Sequence, residues 1–417
     1  MTSGGAERAV GARRAIEAAM RTSHGRALAV VAAQLRDFDL AEDAVQDAWL
    51  EATRTWGDTG VPDNPTAWIV TTARRRAIDR LRRRDRNDRV TERITSELLT
   101  APADDDWVDD TDIPDERLTL LFTCCHPALA PDARVALTLR AVGELTTREI
   151  ARAFGTTERT MQQRLVRTKQ RIVTAGIPYR VPERDELPER LAGAHAVIYA
   201  MFTEGYSATD HPDFLRVDLT DEAIRLAGLV DDLLPDQAES LGLRALLLLH
   251  DARRAGRRDA SGSLVLLDDQ DRTTWGRHQI AEAVAHLDRA LERHDPGPYQ
   301  LQAAVAALHA EAESVETTDW VQITALYGLL VERWPSAAAR LALAVATGMA
   351  DGPDAGLRAL RSLAEELGDD HRWHAANGHF QALAGRSDDA DDSFERAADL
   401  ARHPLEAERL RARVTRR

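Results

Sequence analysis

The stretch Leu145 to Ile172, LTTREIARAFGTTERTMQQRLVRTKQRI, leaves this chain the least freedom. Thr146 and Glu149 stand at the spacing of a capping box, in which a hydroxyl and a carboxylate satisfy each other's backbone N–H groups at a helix start. They open a short helix whose Ile150, Ala151 and Phe154 face inward. Gly155 suits a left-handed turn. Thr156 or Thr157 then caps a longer helix with Met161, Leu165, Thr168 and Ile172 on one stripe. A short helix, a glycine turn and a capped second helix make the helix-turn-helix pattern. The exposed side of the second helix holds Arg159, Gln163 and Arg167, flanked by Gln162, Arg164, Lys169 and Arg171. Thr157, Arg159, Thr160 and Gln163 are near the N-terminal end, which leads when such a helix enters a major groove. Arg164, Arg167, Lys169 and Arg171 lie further along, where phosphates are held.

A second basic helix precedes it. In Pro65 to Arg86, PTAWIVTTARRRAIDRLRRRDR, the positions Trp68, Thr72, Arg75, Arg76, Asp79, Arg82, Arg83 and Arg86 share one face, while Ile69, Val70, Ala73, Ala77, Ile78 and Leu81 take the other. The second set is expected to anchor the helix in a core. The first suits a nucleic-acid strand, because arginine neutralises phosphates and an aromatic ring stacks on or wedges against an unpaired base. Ahead of it, an Asp39-Leu-Ala-Glu42 capping pattern predicts a helix running to about Trp56, with Glu42, Asp43, Asp47 and Glu51 outward. Gly57 to Pro65 reads as a loop.

The net charge of −15 conceals a division. Residues 1–180 hold 28 basic residues against 27 acids, and residues 181–417 hold 26 against 42, net −16. Within the front part, Glu97 to Glu116 has nine acids and no base. The strap from Arg89 to Asp115 shows no periodicity and is expected to be extended, with helix resuming at Glu116 to Thr123 and at about Asp132 to Val142. Two basic patches joined by an acidic strap predict two contacts with a polyanion.

Beyond Pro178 and Pro182, helices are expected over Leu187 to Phe202, Asp221 to Leu229, Ala238 to Arg254, Gly276 to Glu292, Tyr299 to Glu313 and Trp320 to Trp334. Gly378, Ala390, Phe394 and Ala397 fall where a tetratricopeptide repeat wants Gly, Ala, Phe and Ala, and the preceding block matches more weakly through Ala355. The fold class is therefore all-α: two small helical domains, the second a helix-turn-helix, and a larger helical extension with repeats at about 336–410. Such an array binds a protein segment or another part of its own chain.

Enzymatic chemistry is not expected. His195, Tyr199, Glu204 and Tyr206 cluster in sequence, as do Asp268 to Arg272 before Trp275. No phosphate loop, HExxH or nucleophile elbow accompanies them, so no catalytic residue, metal or cofactor is assigned. Cys124 and Cys125 are adjacent, which excludes a disulfide framework, and they read as small buried thiols. With no long apolar run and no signal-peptide pattern, a cytoplasmic protein without membrane contact is expected.

The order of acidic-faced helix, loop, AW-containing arginine helix (Ala67 to Arg84), linker and helix-turn-helix resembles the extracytoplasmic-function (ECF) sigma factors of bacterial RNA polymerase. That likeness covers roughly residues 12–176. The phrases LFTCCHPALAP, FTEGYSA, LTDEAIRLAGLV, LLLLHDARR and DDQDRTTW are similar to the subgroup with a fused helical, repeat-containing C-terminal domain. The resemblance implies a region 2 domain at 12–88, an acidic linker at 89–115, a region 4 domain at 116–176 and an extension at 183–417. It implies that Asp39, Asp43 and Asp47 dock on the polymerase β′ clamp helices. Asn64, Trp68, Thr72, Arg75, Arg76 and Arg83 would engage and help melt the −10 element. The helix-turn-helix, beside the β flap, would read the −35 element through Arg148, Thr157, Arg159, Thr160, Gln163, Arg164 and Arg167. The family often carries Asn where this chain has Arg75. Two other functions fit parts of the pattern: a two-headed DNA-binding regulator working without polymerase, and a repeat scaffold for protein partners.

Overall fold

Helix starts and stops in this chain are set by short local signals, and the computed structural model shows most of them in place. It describes residues 37–84, 113–142, 145–183, 185–208, 214–235 and 237–415, with 16, 19–20, 23–25 and 27–35 before them. The part of the acidic strap at 89–112 and Arg86 lie outside the described residues. Among the described residues there is no strand, only an isolated bridge between Arg258 and Leu264. The chain forms two compact units, Met1–Met201 and Phe202–Arg417.

In the first unit, α1 is Phe38–Thr59. Its cap is Asp37, which accepts from the Leu40 N–H at 3.0 Å, so the helix starts one residue before the expected Asp39 and Asp39 sits in the first turn. Gly60, at φ +83, stops it. α2, Pro65–Arg84, begins on a proline, whose missing N–H costs nothing in a first turn. α1 and α2 pack on each other, and their Ala44, Val45, Ala48, Ala52, Ile69, Ala73 and Ala77 are all buried. Leu81, expected in the core, is only half-buried.

α3, Ile113–Cys124, begins three residues before the expected Glu116. Pro114 falls in its first turn, where proline is tolerated. α4 is Pro131–Ala141, α5 Thr147–Ala153 and α6 Glu158–Thr174. The capping box of Thr146 and Glu149 is formed, Gly155 has φ +56, and Thr157 accepts from the Thr160 N–H. Met161, Leu165, Thr168 and Ile172 are the buried stripe of α6. The helix-turn-helix is thus built as its sequence dictates. Cys124 and Cys125 are both buried free thiols, and burial pushes Cys125 up to about 12, so neither is a ready thiolate. α7, Leu187–Tyr206, starts after the proline-rich break; within the first unit, its Arg190 donates to the Phe122 carbonyl at 2.8 Å.

In the second unit α8 is Val217–Leu233, α9 Ala238–Asp251, α10 Arg277–Leu291, α11 Pro298–Glu311 and α12 Trp320–Arg333. α9 is buried nearly all round, as a central helix must be, and packs on α10 and α11. The last helices are α13 (Ala337–Asp351), α14 (Pro353–Arg361), α15 (Ala364–Leu367), α16 (His371–Leu383), α17 (Ser387–Leu400) and α18 (Pro404–Arg411). Gly378, Ala390, Phe394 and Ala397 are buried where α16 meets α17. In the preceding pair the small buried residue is Gly356, beside the expected Ala355, which is half-buried. Phe380, fully buried, lies over Gly348 and Gly356, where a Cβ would come within 2.3 Å and 2.8 Å of its ring.

Candidate nucleic-acid interface

Three charged surfaces of the first unit matter. On α2, Trp68, Thr72, Arg75 and Arg76 follow one another at i, i+4, i+7 and i+8, so they form one stripe. Arg75 is exposed, while Trp68, Thr72 and Arg76 are half-buried. Trp68 is not a free-standing ring: it lies edge-on to Trp56 with centroids 5.2 Å apart, and Trp56 in turn meets Trp49 at 5.7 Å. The three tryptophans tie the stripe to the α1–α2 core, leaving part of the Trp68 ring on the surface. Asn64 is exposed, and its side-chain oxygen accepts from the Ala67 N–H at 3.0 Å, which makes it the cap of α2. Arg76 pairs with Glu51 at 2.8 Å. Arg83 lies in the last turn of α2, with its side chain outside the described residues.

The second surface is the outer face of the helix-turn-helix. Arg148, Thr157, Arg159, Thr160, Gln163 and Arg167 are all exposed, and Arg164 is half-buried with its guanidinium over the Phe154 ring at 5.5 Å. Thr157 and Thr160 join through their hydroxyls at 2.8 Å, ordering the first turn. A groove of about 450 Å³ runs beside this face, lined by Gln163, Arg164, Arg167 and Arg171 and walled by Leu129 and Ala133. Lys169 does not belong here. Its side chain turns away from the exposed residues and is 10% exposed.

The third surface is the acidic face of α1, where sequence reasoning missed the counter-ions. Arg80 bridges Asp43 at 2.5 Å and Asp47 at 2.7 Å. Lys169 reaches Glu42 at 2.6 Å and Asp39 at 2.9 Å, with its ammonium 4.9 Å from the centre of the Phe38 ring, and Arg140 pairs with Glu42 as well. Burial alone would push the Glu42 carboxyl up; the facing Lys169 and Arg140 outweigh it and hold Glu42 below its ordinary range. Lys169 is raised for the mirror reason, its burial being outweighed by Glu42 and Asp39. These partners are 33 to 130 residues apart in sequence, beyond the reach of any helix-spacing rule.

The histidine and acidic clusters that could carry enzymatic chemistry have structural surroundings. His195 is buried and its pKa falls to about 4 by burial. Asp271 caps a turn through the Thr273 N–H, Arg272 donates to the His309 and Ala312 carbonyls, and Asp269 pairs with Arg409. Among the described residues, no group of three or more His, Cys, Asp or Glu is placed to hold a metal ion.

Both cationic surfaces lie in segments that match known protein families. Residues 20–87 match the model of Sigma-70 region 2, and residues 119–172 match Sigma-70, region 4. The ECF RNA polymerase sigma factor SigK of Mycobacterium ulcerans (strain Agy99) is 30% identical over 141 residues, which is 34% of this chain and 74% of that protein. The chain belongs to the ECF sigma factor family. A sigma factor of this family is a transcription initiation factor and not an enzyme. This sigma factor extends well beyond its region 4: residues 190–291 match a family of unknown function (DUF6596). "Uncharacterized protein R00370" of Rhizobium meliloti (strain 1021) is 41% identical over 405 residues, 96% of this chain and 95% of that one. A solved tetratricopeptide repeat protein from Parabacteroides merdae ATCC 43184 aligns at a TM-score of 0.38 and 11% identity, over 90% of this chain and all of the other. No helix among the described residues is long and apolar enough to cross a membrane.

Proposed function

We propose that this sigma factor binds core RNA polymerase, carries it to promoters bearing matched −10 and −35 elements, and captures the melted strand at the first of them. The acidic face of α1, through Asp39, Asp43 and Asp47, docks on the β′ clamp helices, and the helix-turn-helix lies by the β flap. Arg75, Arg76 and Arg83 hold the backbone of the −10 element, with Trp68 and Thr72 against a base and Asn64 at the mouth of the loop. Unstacking a base costs a few kcal/mol, so a partly exposed ring braced by Trp56 is suited to hold one once it leaves the duplex. Arg148, Thr157, Arg159, Thr160 and Gln163 read the −35 element, and Arg164 and Arg167 hold its phosphates. The helical extension acts as a regulatory or supporting module through a protein partner or an intramolecular contact, and the protein works in the cytoplasm.

The observation that carries this reading is the pairing of two cationic helix faces with an acidic helix in one chain. A regulator that only binds DNA has no use for the third surface. The test is co-elution of the purified protein with core polymerase, repeated with Asp43→Arg and Asp47→Arg. Loss of co-elution in the variants, with their helicity retained, is expected. Tight promoter binding by the protein alone, without any association with core, would point to a two-headed regulator.

A further inference from the structure

The acidic face of α1 already has an occupant. Lys169 and Arg140 belong to the helix-turn-helix domain, on α6 and in the last turn of α4, yet both turn toward the first turns of α1. Glu42 sits between them, with its side chain 15% exposed, and Lys169 is 10% exposed. A surface ion pair between flexible side chains does not look like this. Two cations converge on one carboxylate, a second carboxylate accepts from the same ammonium, and the Phe38 ring covers it. Meanwhile the DNA-facing residues of the same helix, Arg159, Gln163 and Arg167, remain exposed. α6 therefore presents two opposite faces with two different partners.

Lysine itself is informative. Of 54 basic residues in the chain only Lys169 is a lysine. An ammonium is a compact charge with three donors, which lets it meet two carboxylates at once.

We propose that the helix-turn-helix domain masks part of the polymerase-docking face of α1, so that core polymerase and the chain's own Lys169 and Arg140 compete for Asp39 and Glu42. This rests on the reading of α1 as the polymerase surface. In the closed form the two promoter-reading helices are held together by this contact; docking on polymerase releases α6. The affinity measured for core polymerase is then the intrinsic affinity reduced by the fraction of open molecules.

The single lysine gives a direct probe. A carbodiimide activates a carboxylate, the Lys169 amine displaces the urea, and an amide remains with the net loss of one water. Treating the full-length protein is expected to give a monomeric product in which Lys169 is joined to Glu42 or Asp39, identified by peptide mass. Saturating core polymerase, added first, is expected to lower its yield at least five-fold. Lys169→Gln, shown by circular dichroism to be folded, is expected to bind core several-fold more tightly than wild type. Lys169→Arg, which keeps the charge, is expected to bind within two-fold of wild type. No such product, or only intermolecular product, would overturn the closed form whatever polymerase does. Undiminished product in protein that co-elutes with polymerase, or unchanged affinity in Lys169→Gln, would overturn the competition. Failure of every form, Lys169→Gln included, to bind core would instead remove the polymerase reading on which the competition depends, while the cross-link would still establish the closed form.

Discussion

Trp68 is the residue at which packing and function are hardest to separate, and one substitution separates them. In Trp68→Leu an apolar side chain still fills the side of the site next to Trp56, but the flat ring is gone. Full truncation of a buried Trp costs about 3–5 kcal/mol. Trp68 is half-buried and leucine retains much of its apolar contact, so the loss of stability is expected to be about 1–2 kcal/mol, including the edge-on contact with Trp56. Base stacking on an aromatic side chain contributes about 1–3 kcal/mol, so open-complex formation should fall by about 5- to 150-fold at a temperature where the protein stays folded. The assays are urea unfolding for stability and permanganate reactivity of promoter thymines, in the presence of core polymerase, for melting. Trp68→Ala should lower both stability and melting further. If Trp68→Leu melts promoter DNA at the wild-type rate while losing the expected stability, Trp68 is a packing residue and the strand-capture role is wrong.

Other expectations follow from single positions. Gly155→Ala meets open space, so its cost is the left-handed backbone alone, about 1–2 kcal/mol in urea unfolding, and Gly155→Asn should cost less. Phe380→Ala should cost about 3–5 kcal/mol because the ring is fully buried. Gly348→Ala should cost about 1–3 kcal/mol by overpacking against that ring, and Gly348→Ala with Phe380→Leu should be less than additive. His195 and His309 are held down to about 4 by burial, with Arg253 and Arg272 adding to the effect at His309. A depressed histidine takes up its proton in the unfolded chain first, so stability is complete above the ordinary 6.5 and is lost as pH falls toward 4, by about 3 kcal/mol for each group. Thermal unfolding between about pH 7 and pH 4.5 checks the sign, and His309→Phe should shrink the drop.

The helix-turn-helix was legible because every signal in it is local. The Thr146–Glu149 box, Gly155 and the Thr157 cap each act within four residues, and the stripe from Met161 to Ile172 needs only the helix period. The repeat positions Gly378, Ala390, Phe394 and Ala397 were legible for a similar reason, since a fixed spacing sets small residues where two helices touch and a ring against the glycine that makes room for it. What could not be read were charges whose partners are distant in sequence. Arg80 looked like one more member of a basic run, yet it neutralises Asp43 and Asp47. Lys169 looked like a phosphate ligand, yet it faces Asp39 and Glu42. Asn64 shows a different limit: a residue that caps a helix and one that meets DNA have the same sequence signature, an exposed amide at the end of a loop.

Transcription reconstituted from purified core polymerase, this protein and fragmented genomic DNA, with sequencing of RNA 5′ ends, tests the central claim most directly. Start sites that depend on the protein and share two upstream elements at a fixed spacing are expected. They should be lost with Arg75→Ala and Arg76→Ala together, and separately with Arg159→Ala and Gln163→Ala together. Start sites identical with and without the protein, in reactions where it is folded and bound to DNA, would contradict its role as a promoter-specificity subunit.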